Sequence, residues 1–402
     1  MGIFINQVKF LVKDYSHGKI KYIALGFLGA IFAGVAAIIG VSAFLGLSSA
    51  NILQAMRFFA TMRFVESQYV DTVDEKQLVD GAINGMVKSL GDPYSVYLPP
   101  DMYTRLKNQT SGQFGGIGVV MGHDGSNVHI ISVMDGTPGE KAGLKVNDSI
   151  VAVDGKSTSE MEFEHVAMSI RGEAGTDVTL TIGREGEPNA DYTMTRSMIH
   201  YDTAAGRMID DENNDVGYIR ISSFSENTAE EFKKAYDSLK EKGMKGLIID
   251  LRGNPGGFLT TCVDIANFVV PKGLVVSVVE RDGTREEYMS NHDGDTIPAV
   301  VIINEASASA SEILAGALQD TGAATVIGTT SYGKGSVQVV MPLTDGDAVK
   351  LTIAKYYTPN GRSIAGSGIT PDILVELPKD SVRDVQLDAA IKNVKDKIYL
   401  EN

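Results

Sequence analysis

Cysteine is almost absent from this 402-residue chain: Cys262 stands alone, so no intramolecular disulfide can form. It falls in the apolar run FLTTCVDIANFVV (258–270), where a buried core thiol is expected rather than a nucleophile. Positive charge is short as well. Lys and Arg total 36 against 51 Asp and Glu, a net charge of -15, which argues against a nucleic-acid partner because phosphate binding needs a basic surface. The same sign repels an anionic membrane surface, so membrane attachment would need an apolar segment. Histidines at metal-ligand spacing are missing: His17, His123, His129, His165, His200 and His292 form no close pair and no HExxH, and no metal or other cofactor is expected. Repeats and low-complexity tracts are missing too. What remains is 43% hydrophobic and 22% charged, an ordinary globular composition long enough for two or three domains.

One long apolar run is present. Lys21 is followed by YIALGFLGAIFAGVAAIIGVSAFLGL (22–47), uncharged and long enough to cross a hydrocarbon core of roughly 30 Å as a helix. Lys9, Lys13, Lys19 and Lys21 precede it against one acid, Asp14. Residues 1–21 are therefore expected in the cytoplasm, 22–47 as a transmembrane helix, and the rest outside, as in a single-pass cell-membrane protein. The alternative is a signal peptide cleaved near Ser48-Ser49-Ala50, but signal h-regions run to only about 7–15 residues.

Residues 51–110 read as a helical part; Leu78, Ala82, Met86 and Leu90 repeat at a spacing of four before GDPYSVYLPP (91–100) breaks the pattern. Residues 111–198 hold short apolar runs, GIGVVM, VHIISV, SIVAVDG and DVTLTIGR, between Gly, Asp and Asn turns, with one helix at 159–170: a small strand-rich binding module. From 199 to 378 strand and helix alternate, which predicts an α/β layered domain whose site lies beyond the strand ends. Residues 379–402 are expected as a helical tail.

Within that domain AVVIINEASASASEILAGALQD (299–320) predicts a buried strand, a loop of small residues and a helix starting near Ser309. A serine there sits among unpaired N–H groups at the positive end of a helix dipole, suited to an acyl-transfer oxyanion. One capping serine would explain Ser307, Ser309 or Ser311 singly, but three alternating serines exceed what a cap requires. Twenty-five residues on, IGTTSYGKGSVQVV spells G-x-x-x-x-G-K from Gly328 to Lys334, but Gly335 replaces the Ser or Thr of a phosphate loop and a strand pattern follows, so nucleotide binding is not expected. Lys334 between two glycines is instead a candidate general base, provided its surroundings are dry enough to lower its affinity for a proton. A third segment, LIIDLRGNPGG (247–257), leaves a strand through a glycine-rich turn. Pro255 has no N–H, so an oxyanion donor here would be Gly256 or Gly257. A histidine base has little support, since His292 sits in a polar turn, leaving only His200 in the right region.

At these residues the chain resembles the carboxyl-terminal processing, or tail-specific, proteases. GDPYSVYL (91–98), FGGIG (114–118), GEKAGLKVNDSIVAVDG (139–155), LIIDLRGNPGG (247–257), SASASEILAGALQD (307–320) and GKGSVQ (333–338) carry the likeness, in that order. The resemblance implies an α/β crotonase-like serine protease domain with an inserted, mostly β PDZ domain. It further implies Ser309 as nucleophile, Lys334 as general base, Gln338 holding the lysine, and an oxyanion hole from Ala310 and Gly256. Gly116, Ile117 and Gly118 would offer successive amides to a terminal carboxylate. The expected partners are proteins or peptides with free, apolar C-termini, and a homodimer through the N-terminal helices and the tail. Arg171, after the PDZ helix, is expected to couple the PDZ domain to the active site. Thr137-Pro138-Gly139 stands where the family usually has Ser-Pro-Ala before the KAGL helix. The competing reading is a non-catalytic PDZ adaptor on a protease-like scaffold.

Overall fold

The computed structural model describes residues 49–124, 127–209, 215–293, 297–378 and 383–400. The expected segments 1–21 and 22–47 lie outside them. Among the described residues no helix is long and apolar enough to cross a membrane. The chain divides into residues 1–89 and 90–402.

The first unit supplies two helices rather than one, α1 (Ser49–Gln68) and α2 (Glu75–Lys88). The break falls where Asp74 caps α2, its carboxylate accepting the Lys76 N–H at 2.9 Å.

The second unit opens with β1 (Val96–Leu98) and α3 (Pro100–Ser111), which begins on a proline and stops at left-handed Gly112. The strand-rich module follows: β2 (Gln113–Gly116), β3 (Val119–Asp124), β4 (Asn127–Val133), α4 (Pro138–Lys141), β5 (Ser149–Val153), β6 (Lys156–Ser157), α5 (Phe163–Ile170), β7 (Asp177–Gly183), β8 (Ala190–Thr195) and β9 (Ser197–His200). Strands β3-β4-β5-β7-β8 form one antiparallel sheet with β6 beside β5, and β3 lies at its edge. Ile130, Ile150, Leu180 and Ile182 close over Val166 and Ile170 of α5 in a core of its own. Strands β2 and β9 pair only with each other, where the chain enters and leaves the module. The strand expected at 116–121 is interrupted, because Gly118 takes a φ of 75°.

The remaining elements are β10 (Ala204–Met208), β11 (Val216–Ile221), α6 (Thr228–Glu241), β12 (Gly246–Asp250), α7 (Leu259–Val269), β13 (Gly273–Glu280), β14 (Arg285–Ser290), β15 (Ala299–Ile303), α8 (Ala310–Asp320), β16 (Ala324–Gly328), β17 (Ser336–Pro342), β18 (Ala348–Tyr357), β19 (Ile373–Leu374) and α9 (Val385–Leu400). The order β10-β11-β12-β15-β16-β19 makes a sheet that is parallel from β11 onward. GLIID and AVVII are buried at every position, as a sheet covered on both faces requires. Alternation sorts their side chains: Leu247, Ile249, Val301 and Ile303 join the large core with α6, α7 and α8, while Ile248, Val300 and Ile302 meet Ala390 and Val394 of α9. A second sheet, β1-β18-β13-β14 with β17 beside β18, adds Val276 and Tyr356 to the large core. Strands β12 and β15 are parallel neighbours, so the loops 251–258 and 304–309 leave the same sheet edge side by side.

Candidate active site

Ser309 occupies the residue before α8 with φ 57° and ψ -116°. Apart from glycines, only Asn147, Asp154 and Ser309 have positive φ among the described residues, and of these only serine lacks a side chain that tolerates it readily. Such a conformation costs about 1–3 kcal/mol and persists only where its surroundings over-determine it. Ser307, fully buried, donates its hydroxyl to the Leu251 carbonyl at 2.8 Å. Ser311 donates to the Asn254 carbonyl at 3.0 Å, and the Ala308 amide reaches the same oxygen at 3.0 Å. The outer two serines thus stitch this loop to the glycine loop, and the half-buried Ser309 between them is raised out of it.

Glu312, fully buried in the first turn of α8, joins this loop to the next. Its Oε2 accepts the Ser309 amide at 2.8 Å and the Lys334 amide at 2.9 Å. Its Oε1 accepts the Ser331 hydroxyl and the Gly333 amide, each at 2.6 Å. Four donors and the helix dipole compensate a charge that could not otherwise sit in the core. The Tyr356 hydroxyl ties the same two segments, meeting the carbonyls of Ser309, at 3.3 Å, and of Lys334.

Lys334 lies on the loop before β17. Gly335 is required beside it because a Cβ there would meet Ala365 at 2.7 Å. The Lys334 ammonium stands over the Tyr94 ring, 5.4 Å from its centroid. Burial first, then the like charge of Lys350, pulls its pKa down to about 8 against the opposing pull of Glu312 and Asp92. Among the described contacts none is a hydrogen bond from this ammonium to the Ser309 hydroxyl, and catalytic bonds are often open without substrate. Asp92 is held by the Ser95 hydroxyl at 2.6 Å and the Tyr94 amide at 3.1 Å. Burial pushes its carboxyl up, but those bonds, Thr352 and Lys334 outweigh it and leave the group below its ordinary value. Gln338 sits at a register shift in β17, and its amide donates to Ser336 at 2.8 Å and Thr352 at 3.3 Å rather than to Lys334. The hold of Gln338 on the lysine expected from the resemblance is therefore not made in this arrangement.

The glycine loop alters one expectation. The Gly256 N–H is engaged by the Asn254 side chain at 2.8 Å, whereas the Gly257 N–H has no partner among the described residues. The donor expected of Gly256 is thus engaged within its own loop, and the unpaired amide of the two is that of Gly257. Gly256 is needed for closeness instead: at φ 99°, a Cβ on it would lie 2.7 Å from the Ser309 Cβ and the Ala308 carbonyl. Cys262 is wholly buried beneath Ala310, with its thiol pushed up by burial, as befits a core residue.

In the strand-rich module, Gly116 pairs with Ser197 in the β2–β9 ribbon, while the amides of Ile117 and Gly118 have no partner among the described residues. Gly139 packs closely on this turn: its amide meets the Ile117 carbonyl at 2.7 Å, and a Cβ on it would come within 2.8 Å of that oxygen. That closeness accounts for glycine at the start of α4. The Arg171 guanidinium stacks on Phe114 of the ribbon, 4.5 Å from the ring centroid. Where the ribbon re-enters the core, His200 Nε2 meets Glu231 Oε1 of α6 at 3.0 Å.

Sequence reasoning missed Glu312, Asp92, Tyr94 and Tyr356. Glu312 had a usable signal, since Ser309-x-x-Glu312 has the spacing of a capping box. Asp92 and Tyr94 lie in the helix break and in GDPYSVYL, which carries the resemblance, but neither was given a role, and nothing local distinguishes Tyr356 from any strand tyrosine.

Comparison with known proteins gives three family matches: peptidase family S41 over residues 215–375, the N-terminal domain of the activating protease CtpB over 49–102, and a PDZ domain over 129–184. The carboxy-terminal processing protease CtpA of Bacillus subtilis is 40% identical over 327 residues, covering 81% of this chain and 69% of the relative. A carboxy-terminal-processing protease of Bartonella bacilliformis is 40% identical over 322 residues, 78% of this chain and 73% of the relative. Its counterpart in Synechocystis is 39% identical over 321 residues, 77% of this chain and 75% of the relative. A Bacteroides fragilis structure assigned to the S41 proteases aligns with TM-score 0.52 at 18% identity, over 84% of this chain and 96% of its own, and shows the shared fold.

Proposed function

We infer the function from one premise: the chain belongs to peptidase family S41 and is a serine-type peptidase of the carboxy-terminal processing kind. On that footing Ser309 attacks a peptide carbonyl near the C-terminus of a protein substrate, and Lys334, in its neutral form, takes the hydroxyl proton. The oxyanion of the tetrahedral intermediate is received by the amides of Ala310 and Gly257. The intermediate collapses to an acyl-enzyme as Lys334 returns the proton to the leaving amine, and Lys334 then activates the water that releases the acyl group. Gln338 keeps its neighbourhood of Ser336 and Thr352 in register behind the base. The scheme needs no cofactor. The observation that carries the reading is Glu312, whose carboxylate holds the backbones of Ser309 and Lys334 in one grip.

The PDZ domain supplies the preference for tails. A free carboxylate is received by the amides of Ile117 and Gly118, with Gly116 fixing the turn, and an extended apolar tail pairs with the open edge of β3. Residues 22–47 anchor the protein in the cell membrane, with the catalytic part outside the cytoplasm. The adaptor reading is less well supported, because a half-buried lysine drawn down to about 8 is what a base requires and what a binding scaffold does not.

The test is incubation of the full chain with an unstructured protein. Cleavage is expected to vanish in both Ser309→Ala and Lys334→Ala, and undiminished cleavage by Ser309→Ala overturns the mechanism. Binding of tails without cleavage by the unaltered chain would favour the adaptor.

A further inference from the structure

The C-terminal segment touches the catalytic machinery through one arginine. Arg252 is the first residue of the glycine loop beyond Leu251, and its side chain is only 11% exposed. On one side it meets Asp250, fully buried at the end of β12: Nε lies 3.0 Å from Oδ1 and Nη2 lies 2.6 Å from Oδ2. On the other it makes two parallel bonds to Asp384, Nη1 to Oδ1 and Nη2 to Oδ2, each 2.8 Å. Nη1 also reaches the Gln386 side chain at 3.1 Å. All five guanidinium donors are therefore engaged, and Arg252 is clamped between the sheet and the start of α9.

Each end of this chain of contacts is itself fixed. Asp384 caps α9, its Oδ1 accepting the Leu387 amide at 3.0 Å. Asp250 also accepts the Tyr218 hydroxyl at 2.7 Å. Beyond Arg252, the Gly253 amide donates to Asn304 at 2.9 Å, and the Asn254 carbonyl takes the amide of Ala308, next to Ser309. The residue next to the clamp thus already bonds to the nucleophile's loop, and the one after it bonds beside Ser309.

We propose that Asp384 is a positioning residue for the peptidase reaction: through Arg252 it holds the glycine loop at the spacing from Ser309 that the oxyanion site needs, so that docking of the C-terminal segment completes the active site. With Asp384 uncharged or removed, Arg252 keeps Asp250 but loses the far half of its clamp. The loop can then shift, moving the Gly257 amide relative to Ser309. Substrate capture is left intact, because the PDZ groove is elsewhere in the chain. The inference rests on the assignment of Ser309 as nucleophile with an amide of this loop as its oxyanion donor.

Asp384→Ser separates the two roles of the aspartate, since serine still caps a helix but cannot bridge Arg252. In the full-length protein it is expected to lower kcat about 10-fold or more with KM within about 2-fold, and to weaken a peptide boronate by the same factor as kcat, as loss of a transition-state contact does. Formate, a small carboxylate able to sit against Arg252, is expected to restore part of the rate, whereas chloride is not. A kcat equal to that of the unaltered chain overturns the proposal. So does a loss that matches the unfolded fraction seen by circular dichroism and is indifferent to formate. Ser309→Ala with retained cleavage would instead remove the reading on which the proposal rests, so the two failures are distinguishable.

Discussion

Two glycine-rich turns, 114–118 and 252–257, look alike on paper and are used in opposite ways. Around Ile117 and Gly118 two successive amides have no partner among the described residues, and Gly118 takes a left-handed conformation beside the edge strand β3. Around Gly256 the missing side chain lets two loops close on each other, and one amide is already engaged by Asn254. The first turn is the one for which a carboxylate-binding role is proposed. The second is a packed joint whose cross-links keep Ser309 in a conformation it would otherwise leave. A glycine signature therefore marks either open donors or close approach, and only the neighbours distinguish the two.

That contrast can be broken by experiment. The largest effect is expected at the joint: Gly256→Ala places a methyl group against Ser309, and kcat should fall by roughly 10²–10³-fold, the scale of a lost oxyanion contact. Retention of kcat within a factor of two, measured on a chromogenic peptide, would show that the loops are not in working contact. Glu312→Gln replaces one acceptor oxygen of the shared carboxylate with a donor and should reduce kcat by roughly 10- to 100-fold with a small change in KM. An unchanged kcat would leave the grip on Ser309 and Lys334 without catalytic consequence.

The receptor turn should respond differently. A methyl group at Gly118 would overlap Thr137 at 2.3 Å, so Gly118→Ala should raise KM for a tail with a free carboxylate by about 10-fold, the scale of a charged hydrogen bond. An amidated tail should be unaffected, and equal losses on both tails would argue against carboxylate reading. The smallest effect concerns the base. In the proposed mechanism neutral Lys334 is the active form, so kcat/KM should rise with pH through about 8. Lys350→Met removes a like charge, makes protonation of Lys334 easier, and should shift that midpoint upward by less than about one unit while slowing the reaction at pH 7. A downward shift would mean that Lys350 acts in some other way.

Much of the architecture is legible before folding is considered. Apolar runs such as LII and AVVII announce strands covered on both faces, and the 3.6-residue pattern of 228–242 announces α6. Less visible are β1, β10, β14 and β18, whose residues alternate or carry charge and become strands only by pairing with neighbours distant in sequence. The helix expected at 159–170 shortens to a 3₁₀ turn followed by α5.

The site divides along the same line. Ser309 is marked locally, by a strand end, small residues and a helix start, because capping and the helix dipole act over one turn. Lys334 carries no such mark, and read alone it resembles a broken phosphate loop. How tightly it holds its proton is decided by residues far from it in sequence: burial and the like charge of Lys350 from the second sheet loosen it, while Asp92 from before the PDZ domain and Glu312 from under the serine oppose them. The sequence by itself determined the α/β layering, the serine-bearing helix start and the two glycine turns, since short-range patterning encodes each. Only the tertiary structure decided which glycine amide stays open and how dry the lysine becomes. Hydrogen-bond competition and desolvation depend on which groups meet in space, and no spacing along the chain reports that.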